Sequence, residues 1–362
     1  MKTSALNPGV AIVGTQARGG IRAVIENHVQ AGVYEGYQHY FIPSHDEGGI
    51  GKRIAIAFTA MVKLVILIVS GKINICHLHG SMKGSVYRKS VFVFICRLLG
   101  SKVIFHLHGS EFAKTYENAH GIYRALVRYV LNRSDSVFVL SAYWKTYTKS
   151  ISDNPNIQII NNFPSPVFED IFDTKTFPDE GPVSLVFLGH ISHRKGIYDL
   201  VEAVALLKAR GTRDFCITVG GNGEVEHLRE QISARGLDDY FNVIGWVSGE
   251  QKFKILQESQ LLLLPSHNEG LPIAILEALS AGVAVLSTRV GGIPDAIRDD
   301  RYGLLIDAGQ PETLADAITQ YLSTDGLIES VARNARDLYD HEYSAETNIQ
   351  NIRRIFEHLA PA

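Results

Sequence analysis

The sequence predicts an α/β protein of two doubly wound parallel sheets. Three observations predict it. In the first half, short apolar runs alternate with longer amphipathic segments, the pattern of βαβ units in an open sheet. The second half repeats that theme. Between them the stretch NNFPSPVF, with Pro164 and Pro166, reads as a linker. The expected division is residues 1–165, residues 166–344 and a terminal helix over 345–362. A chain of 362 residues fits two domains.

In the first half the runs Val10–Val13, Tyr37–Ile42, Ile73–His77, Lys102–His106, Ser136–Leu140 and Ile157–Ile160 read as strands. In the second, Val183–Leu188, Phe215–Val219, Phe241–Ile244, Leu261–Leu264 and Val283–Ser287 do so. Two such domains facing one another place a ligand cleft at the carboxyl ends of both sheets. The apolar run from Ile54 to Val69 is about 16 residues, short of the roughly 20 that a membrane span needs, and holds Lys63. It reads as a core helix, with a helix lying on a membrane surface as the alternative. Lys83 to Lys102 has five basic residues and no acid, with Val91, Phe92, Phe94, Ile95 and Leu98 as its apolar face. Such a helix suits either an anionic bilayer or a core with a solvated basic side. In the last helix, Ile349, Ile352, Phe356 and Leu359 form one apolar stripe.

Apolar content of 46% and a mean hydropathy of +0.04 describe a water-soluble chain with sizeable cores. Cys76, Cys96 and Cys216 fit neither a disulfide framework nor a metal pattern, which points to a reducing, cytoplasmic compartment. The first residues lack the apolar region of a signal peptide. Net charge is −3 but unevenly placed: residues 1–165 hold 18 basic and 8 acidic residues, and residues 166–362 hold 17 and 30. A basic first half suits an anionic lipid surface or a phosphate-bearing acceptor, or attraction to the acidic second half. No nucleic-acid partner is indicated.

The stretch from Ser266 to Gly282 organises the chain. A buried strand, Leu261–Leu264, leads into the polar loop SHNEGLP and then an apolar helix. Pro272 suits the first helical position and Gly282 the helix end. Glu269 sits in the loop and Glu277 inside the helix. Carboxylates accept from ligand hydroxyls, and the helix N-terminus takes an anion.

Glu269 and Glu277, seven residues apart in EGLPIAILEALSAG, resemble the paired-glutamate signature of family 4 glycosyltransferases. GHISHRKG, GGNGE, GWVSGEQK, LPSHNEG and TRVGGIPDAI follow in that family's order between Val186 and Gly303. The resemblance implies the GT-B fold, with two Rossmann-like domains, and transfer of a sugar from a nucleotide-diphosphate donor with retention. It implies that Glu269 contacts the transferred sugar and Glu277 the ribose. Gly270, Leu271, Pro272 and Ile273 join Glu277 in the implied donor contacts. It also implies that the terminal helix returns to the first domain.

His-Leu-His-Gly-Ser occurs twice, at residues 77–81 and 106–110, each at a strand end. The second copy, continuing as Glu111-Phe112, is similar to the family's active-site strand end. On that match His108 lies beside the transferred sugar, and His106 is buried. The loop Gly14 to Gly20 lets the backbone approach a phosphate or sugar, with Gly19 and Gly20 as the contact glycines. Arg194 and Lys195 precede a helix and can reach a diphosphate; Lys195 matches the family's diphosphate lysine. The family commonly has arginine where His190 stands, and Arg194 or a protonated His190 is the substitute. Gly221 lies in a tight turn on the nucleotide side. It does not satisfy the dinucleotide fingerprint, because Glu226 stands where that pattern needs glycine. Ser248 and Gln251 form a capping-box pattern. By resemblance the Trp246–Val247 backbone lies near the base; plain core filling is the alternative for Trp246.

No D-x-D tripeptide occurs. The expectation is therefore metal-independent hexosyl transfer without a cofactor, from a UDP- or GDP-sugar to a glycan or lipid-linked acceptor in polysaccharide or glycoconjugate biosynthesis. The expected location is cytoplasmic, with peripheral contact on the inner membrane face. The alternatives are a non-catalytic nucleotide-binding partner of the same fold and a nucleotide-sugar epimerase.

Overall fold

Continuous apolar runs suit strands covered on both faces, and every residue of Val10–Val13 and Leu261–Leu264 is buried. The computed structural model describes residues 9–17, 19–177 and 181–360. The reading of Met1–Pro8 and the place of Arg18 in the glycine loop lie outside the described residues. Two six-stranded parallel sheets form. They belong to two compact units, one running up to Asn162 and resuming at Glu346, the other Phe163–Ala345.

Unit 1 runs β1 (Val10–Thr15), α1 (Gly20–Gln30), β2 (His39–His45), α2 (Ile50–Val69), β3 (Ile75–Gly80), α3 (Gly84–Leu98), β4 (Lys102–Leu107), α4 (Phe112–Glu117), α5 (Gly121–Arg133), β5 (Ser136–Val139), α6 (Ala142–Ile151) and β6 (Ile157–Ile159). The strand order is β2-β1-β3-β4-β5-β6. The chain steps from β1 to β2 on one side and then returns past β1 to β3 on the other, so the carboxyl ends of β1 and β3 flank a topological switch point, where open α/β sheets bind ligands.

Unit 2 runs α7 (Asp170–Thr174), β7 (Val183–Leu188), α8 (Ile197–Ala209), β8 (Phe215–Gly220), α9 (Val225–Ala234), β9 (Phe241–Gly245), α10 (Gly249–Glu258), β10 (Leu261–Leu264), α11 (Ile273–Ser280), β11 (Ala284–Thr288), α12 (Ile293–Ala296), β12 (Leu304–Ile306), α13 (Pro311–Ser323) and α14 (Leu327–Leu338). The order β12-β11-β10-β7-β8-β9 puts the switch point between β7 and β10. Gly282, in the left-handed region at φ 62°, ends α11. A last helix, α15 (Ala345–Leu359), packs in unit 1. Its Phe356 is fully buried against Tyr34, and Arg353 donates to Gly32 O at 2.6 Å.

Several expectations need correction. α2 begins at Ile50 and has 20 residues, and it is not simply a core helix. Ala60, Leu64 and Leu67 are buried, but Ile50, Ile54, Phe58, Val62, Ile66 and Val69 stand exposed on another face. Two apolar stripes share one helix, and the pattern alone cannot say which is covered. α3 divides likewise: Phe92, Val93 and Cys96 are buried, whereas Val91, Phe94 and Leu98 are exposed. Pro272 precedes α11 as its N-cap, and Ser248 caps α10 without a side-chain hydrogen bond. The first His-Leu-His-Gly copy lies inside β3, not after a strand. β12, only three residues long, escaped the sequence pattern.

Candidate functional site

In unit 2 the loops after β7 and β10 meet at the switch point. Gly196, at φ 71°, lets the loop after β7 turn tightly against Pro265; a Cβ there would sit 1.9 Å from Pro265 O. That turn presents Lys195, whose ammonium pairs with Glu269 Oε1. Ser266 Oγ donates to the same oxygen at 2.8 Å, and Arg194 Nη1 lies 3.9 Å from Glu269 Oε2 while donating to Asn268 O at 3.0 Å. Glu269 is only 5% exposed, so these cations are what keep its charge tolerable. Gly291 packs against Glu269 O, where a Cβ would come within 1.8 Å. The TRVGGIP stretch thus braces the loop that holds the carboxylate.

Glu277 lies one turn into α11 and is 4% exposed. Lys252 of α10 donates to its Oε1 at 2.5 Å. Its Oε2 is buried with no hydrogen-bond partner among the described residues. An orphaned carboxylate oxygen is costly unless a ligand donor reaches it. Gly270 and Leu271 are buried, and Gly270 O accepts from Gly292 N at 2.7 Å. Pro272 is buried and Ile273 half-buried. Gly221 is packed so closely that a Cβ would lie 1.8 Å from Gly189 O. Val247 is buried beside Gly220, whereas Trp246 is 43% exposed, which removes plain core filling as its role. His190 Nδ1 shares a hydrogen bond with Asn222 Oδ1 at 3.1 Å.

In unit 1 the repeated His-Leu-His makes a ladder. Residues two apart on a strand share a face, and His79 pairs in register with His106. His77, His79, His106 and His108 therefore stack together, with His28 of α1 against them. Tyr34 Oη bonds His77 Nδ1 at 2.9 Å, His77 Nε2 approaches His106 Nδ1 at 3.3 Å, and His79 Nδ1 bonds His108 Nε2 at 2.9 Å. His106 is fully buried; His108, at the open end, is half-buried. Burial lowers His28 and His108 to about 3 and holds His77, His79 and His106 well below the usual imidazole range. The rings are neutral at pH 7. Ring nitrogens of His28, His77 and His79, and of His79, His106 and His108, lie within 4.8 Å of one another, so these groups have the spacing to hold a cation. The charges bearing on them are those of other histidines and of Lys89, which does not favour one. Gly19 and Gly20 are exposed at the start of α1 and line a separate cavity.

Residues 168–338 match the family profile described as "Glycosyl transferases group 1". Unit 2 carries the group 1 glycosyl transferase pattern. The chain is 34% identical over 157 residues to the 2-deoxystreptamine N-acetyl-D-glucosaminyltransferase of Niallia circulans, a match covering 43% of this chain and 40% of that protein. It is 30% identical over 182 residues to the alpha-D-kanosaminyltransferase of Streptomyces kanamyceticus, covering 50% and 47%. The chain thus spans about half or less of the length of these curated relatives. Sucrose-phosphate synthase from Thermosynechococcus elongatus shares the fold at a TM-score of 0.82 and 14% identity, covering 97% of this chain and 99% of that one. HepE of Anabaena, solved with UDP-glucose, does so at 0.77 and 15%, covering 97% and 99%. The fold is GT-B.

Sequence reasoning missed three residues, two inside this pattern and one in unit 1. Lys252 lay unremarked inside GWVSGEQK, although a lysine one turn into a helix after the base-side loop was a usable signal. Asp199 of α8 bonds His267 Nε2 at 2.6 Å and fixes the loop that carries Glu269. His28 joins the ladder from α1 with no local motif to announce it.

Proposed function

We propose that the protein transfers a hexose from a UDP- or GDP-sugar to a glycan or lipid-linked acceptor, with retention and without a metal, in polysaccharide or glycoconjugate biosynthesis. The observation that carries this is the pair of buried carboxylates, Glu269 and Glu277, each backed by a lysine at the carboxyl edge of the unit 2 sheet. In this reading Glu277 Oε2 accepts from a ribose hydroxyl. Glu269 contacts the transferred sugar, and His108 hydrogen-bonds it as a neutral imidazole. As the sugar–phosphate bond breaks, charge builds on the diphosphate. Lys195 has three N–H donors and gives one to Glu269, leaving others for that charge, with Arg194 beside it. The names of the curated relatives, all sugar transferases where they state an activity, support the same class.

With EDTA present, Glu277→Ala is expected to weaken nucleotide binding about tenfold or more by calorimetry, the worth of one hydroxyl–carboxylate hydrogen bond. Glu269→Ala is expected to lose transfer with a smaller binding loss. Equal, negligible effects from both remove the pair from the site. Activity that vanishes in EDTA and returns with manganese overturns the metal-free part.

The reading extends to an anionic bilayer. No helix among the described residues is long and apolar enough to cross a membrane. Yet α2 exposes Ile50 by 76%, Phe58 by 67% and Ile66 by 60% along one face, and α3 adds Phe94 and Leu98. From residue 48 to 110 the sequence has nine basic residues and no acid. Exposed apolar side chains flanked only by cations suit anionic headgroups over acyl chains. The full chain is expected to sediment with phosphatidylglycerol vesicles, less so at high salt, and not with phosphatidylcholine. Phe58→Glu, at an exposed site, is expected to abolish this with the fold intact. Protein that stays in the supernatant, or a variant that sediments equally, defeats the assignment; a dimer abolished by Phe58→Glu gives the face to a second copy instead.

A further inference from the structure

Unit 1 holds a cavity of about 430 Å³ at the switch point of its sheet. The loop after β1 forms one wall, the end of β2 another, and α2 and α3 contribute Arg53 and Arg88. Among the described residues, no aspartate or glutamate lines it.

The cations there are crowded. Arg88 is lowered from its usual range by burial and by the nearby charge of Arg53. His45 is lowered by burial and by Arg88 and Arg53 together. Two guanidinium groups thus converge on one space beside a neutral imidazole, and like charges held close destabilise a fold unless something answers them. Asp46 and Glu47, which follow His45 in sequence and partly offset this effect on its ring, do not line the cavity: Asp46 pairs with Lys52 at 2.9 Å, and Glu47 is exposed. Arg88 Nε is buried with no hydrogen-bond partner among the described residues. Lys89, also lining the cavity, is committed to Val13 O at 2.9 Å and Ser44 Oγ at 3.1 Å, so it is scaffold. Thr15 Oγ1 bonds His45 Nδ1 at 3.2 Å and fixes that ring at the rim. Gly19 and Gly20, at the uncapped start of the eleven-residue α1, leave backbone N–H groups facing the same loop.

We infer that this cavity binds a phosphate or diphosphate group of the acceptor, with Arg53 and Arg88 as its principal ligands and His45 at its rim. The inference rests on the transferase reading above, in which the donor diphosphate is held by Arg194 and Lys195 of unit 2, so that a phosphate in unit 1 is a second one. Guanidinium forks match phosphate oxygens in pairs, which supplies both the missing partner of Arg88 Nε and the missing negative charge. The chemistry is shared by a lipid-linked phosphate and a soluble sugar phosphate.

The test uses the full chain and inorganic pyrophosphate as probe, with UDP and GDP titrated in parallel. Arg53→Gln with Arg88→Gln is expected to weaken pyrophosphate binding about tenfold per arginine, about the worth of one charge-assisted contact, while nucleotide binding is unchanged. Glu277→Ala is expected to do the reverse. Arg88→Lys, which keeps the charge but not the fork, is expected to fall between. Pyrophosphate bound equally by the double variant, or not bound by the wild type, overturns the inference. Loss of nucleotide and pyrophosphate binding together in the double variant makes the cavity part of the donor site and also overturns it. Unaltered nucleotide binding in Glu277→Ala defeats the donor reading instead, and so is told apart. Displacement of pyrophosphate by phosphatidic acid vesicles assigns the lipid source, and displacement by glucose 1-phosphate the soluble one; displacement by neither, with arginine-dependent binding intact, overturns the assignment to an acceptor.

Discussion

Unit 1 is expected to unfold as pH falls from 7.5 to 5.5, while unit 2 stays folded. His28, His77, His79 and His106 are buried and neutral, with folded pKa values lowered by burial. In the unfolded chain each titrates near the ordinary value of about 6.5. Above that pH neither state binds the proton, and the ladder has no effect on pH dependence. Below it the unfolded state gains protons that the folded state refuses, so stability falls until the pH reaches the folded values, near 3 for His28. Each group contributes about 1.4 kcal/mol per pH unit, so four cost about 5 kcal/mol between pH 7.5 and 5.5. That is comparable to the whole stability of many domains, about 5–15 kcal/mol. Hydrogen exchange resolved by peptide reads the two units separately. Protection of β3 and β4 that does not change across this range refutes the prediction. His28→Phe, which removes one titrating ring and keeps an aromatic of similar shape, is expected to make the slope shallower by one proton.

The second large effect is at Lys195. Its side chain is 13% exposed and that of Glu269 7%. Lys195→Ala is expected to destabilise unit 2 by about 3 kcal/mol, the low end of the range for stranding a buried charge, because Arg194 and Ser266 remain beside Glu269. Adding Glu269→Gln removes the stranded charge and is expected to restore most of that loss. Sugar transfer is not expected to return: each single variant and the double variant fall about a hundredfold or more, the usual cost of losing one preorganised charge-stabilising group. Urea unfolding and initial rates, measured on the same four proteins, complete the cycle. A double variant as unstable as the sum of its singles shows that the two side chains are not coupled.

Much of the architecture was legible in the residues because parallel strands covered on both faces are written as unbroken apolar runs. Val10–Val13, Val183–Leu188 and Leu261–Leu264 announced themselves that way. Strand ends were less legible. β3 continues through His77 and His79 because the histidines bond one another inside the sheet layer, and no local rule places a buried histidine there. α2 was misread as core because a helix apolar on two sides carries no mark of which side is covered. In unit 2 the sequence placed Glu269 and Glu277 but not Lys252, because a partner 25 residues away is set by tertiary packing and not by local pattern. The basic cavity was hidden for the same reason. Its arginines lie on two helices separated by a strand, and only folding brings them to one cavity.

The return of α15 to unit 1 has a consequence for how the chain is made. Phe356 packs against Tyr34 and His77, more than 270 residues earlier in the sequence. A polypeptide emerging from the ribosome therefore completes the sheet of unit 2 before the last piece of unit 1 exists. Until then the face of Tyr34 and His77 lacks the cover of Phe356. Contacts of such sequence separation form late and slowly. The nascent first unit is thus the part of this protein most in need of protection by a chaperone during the time the second is being synthesised.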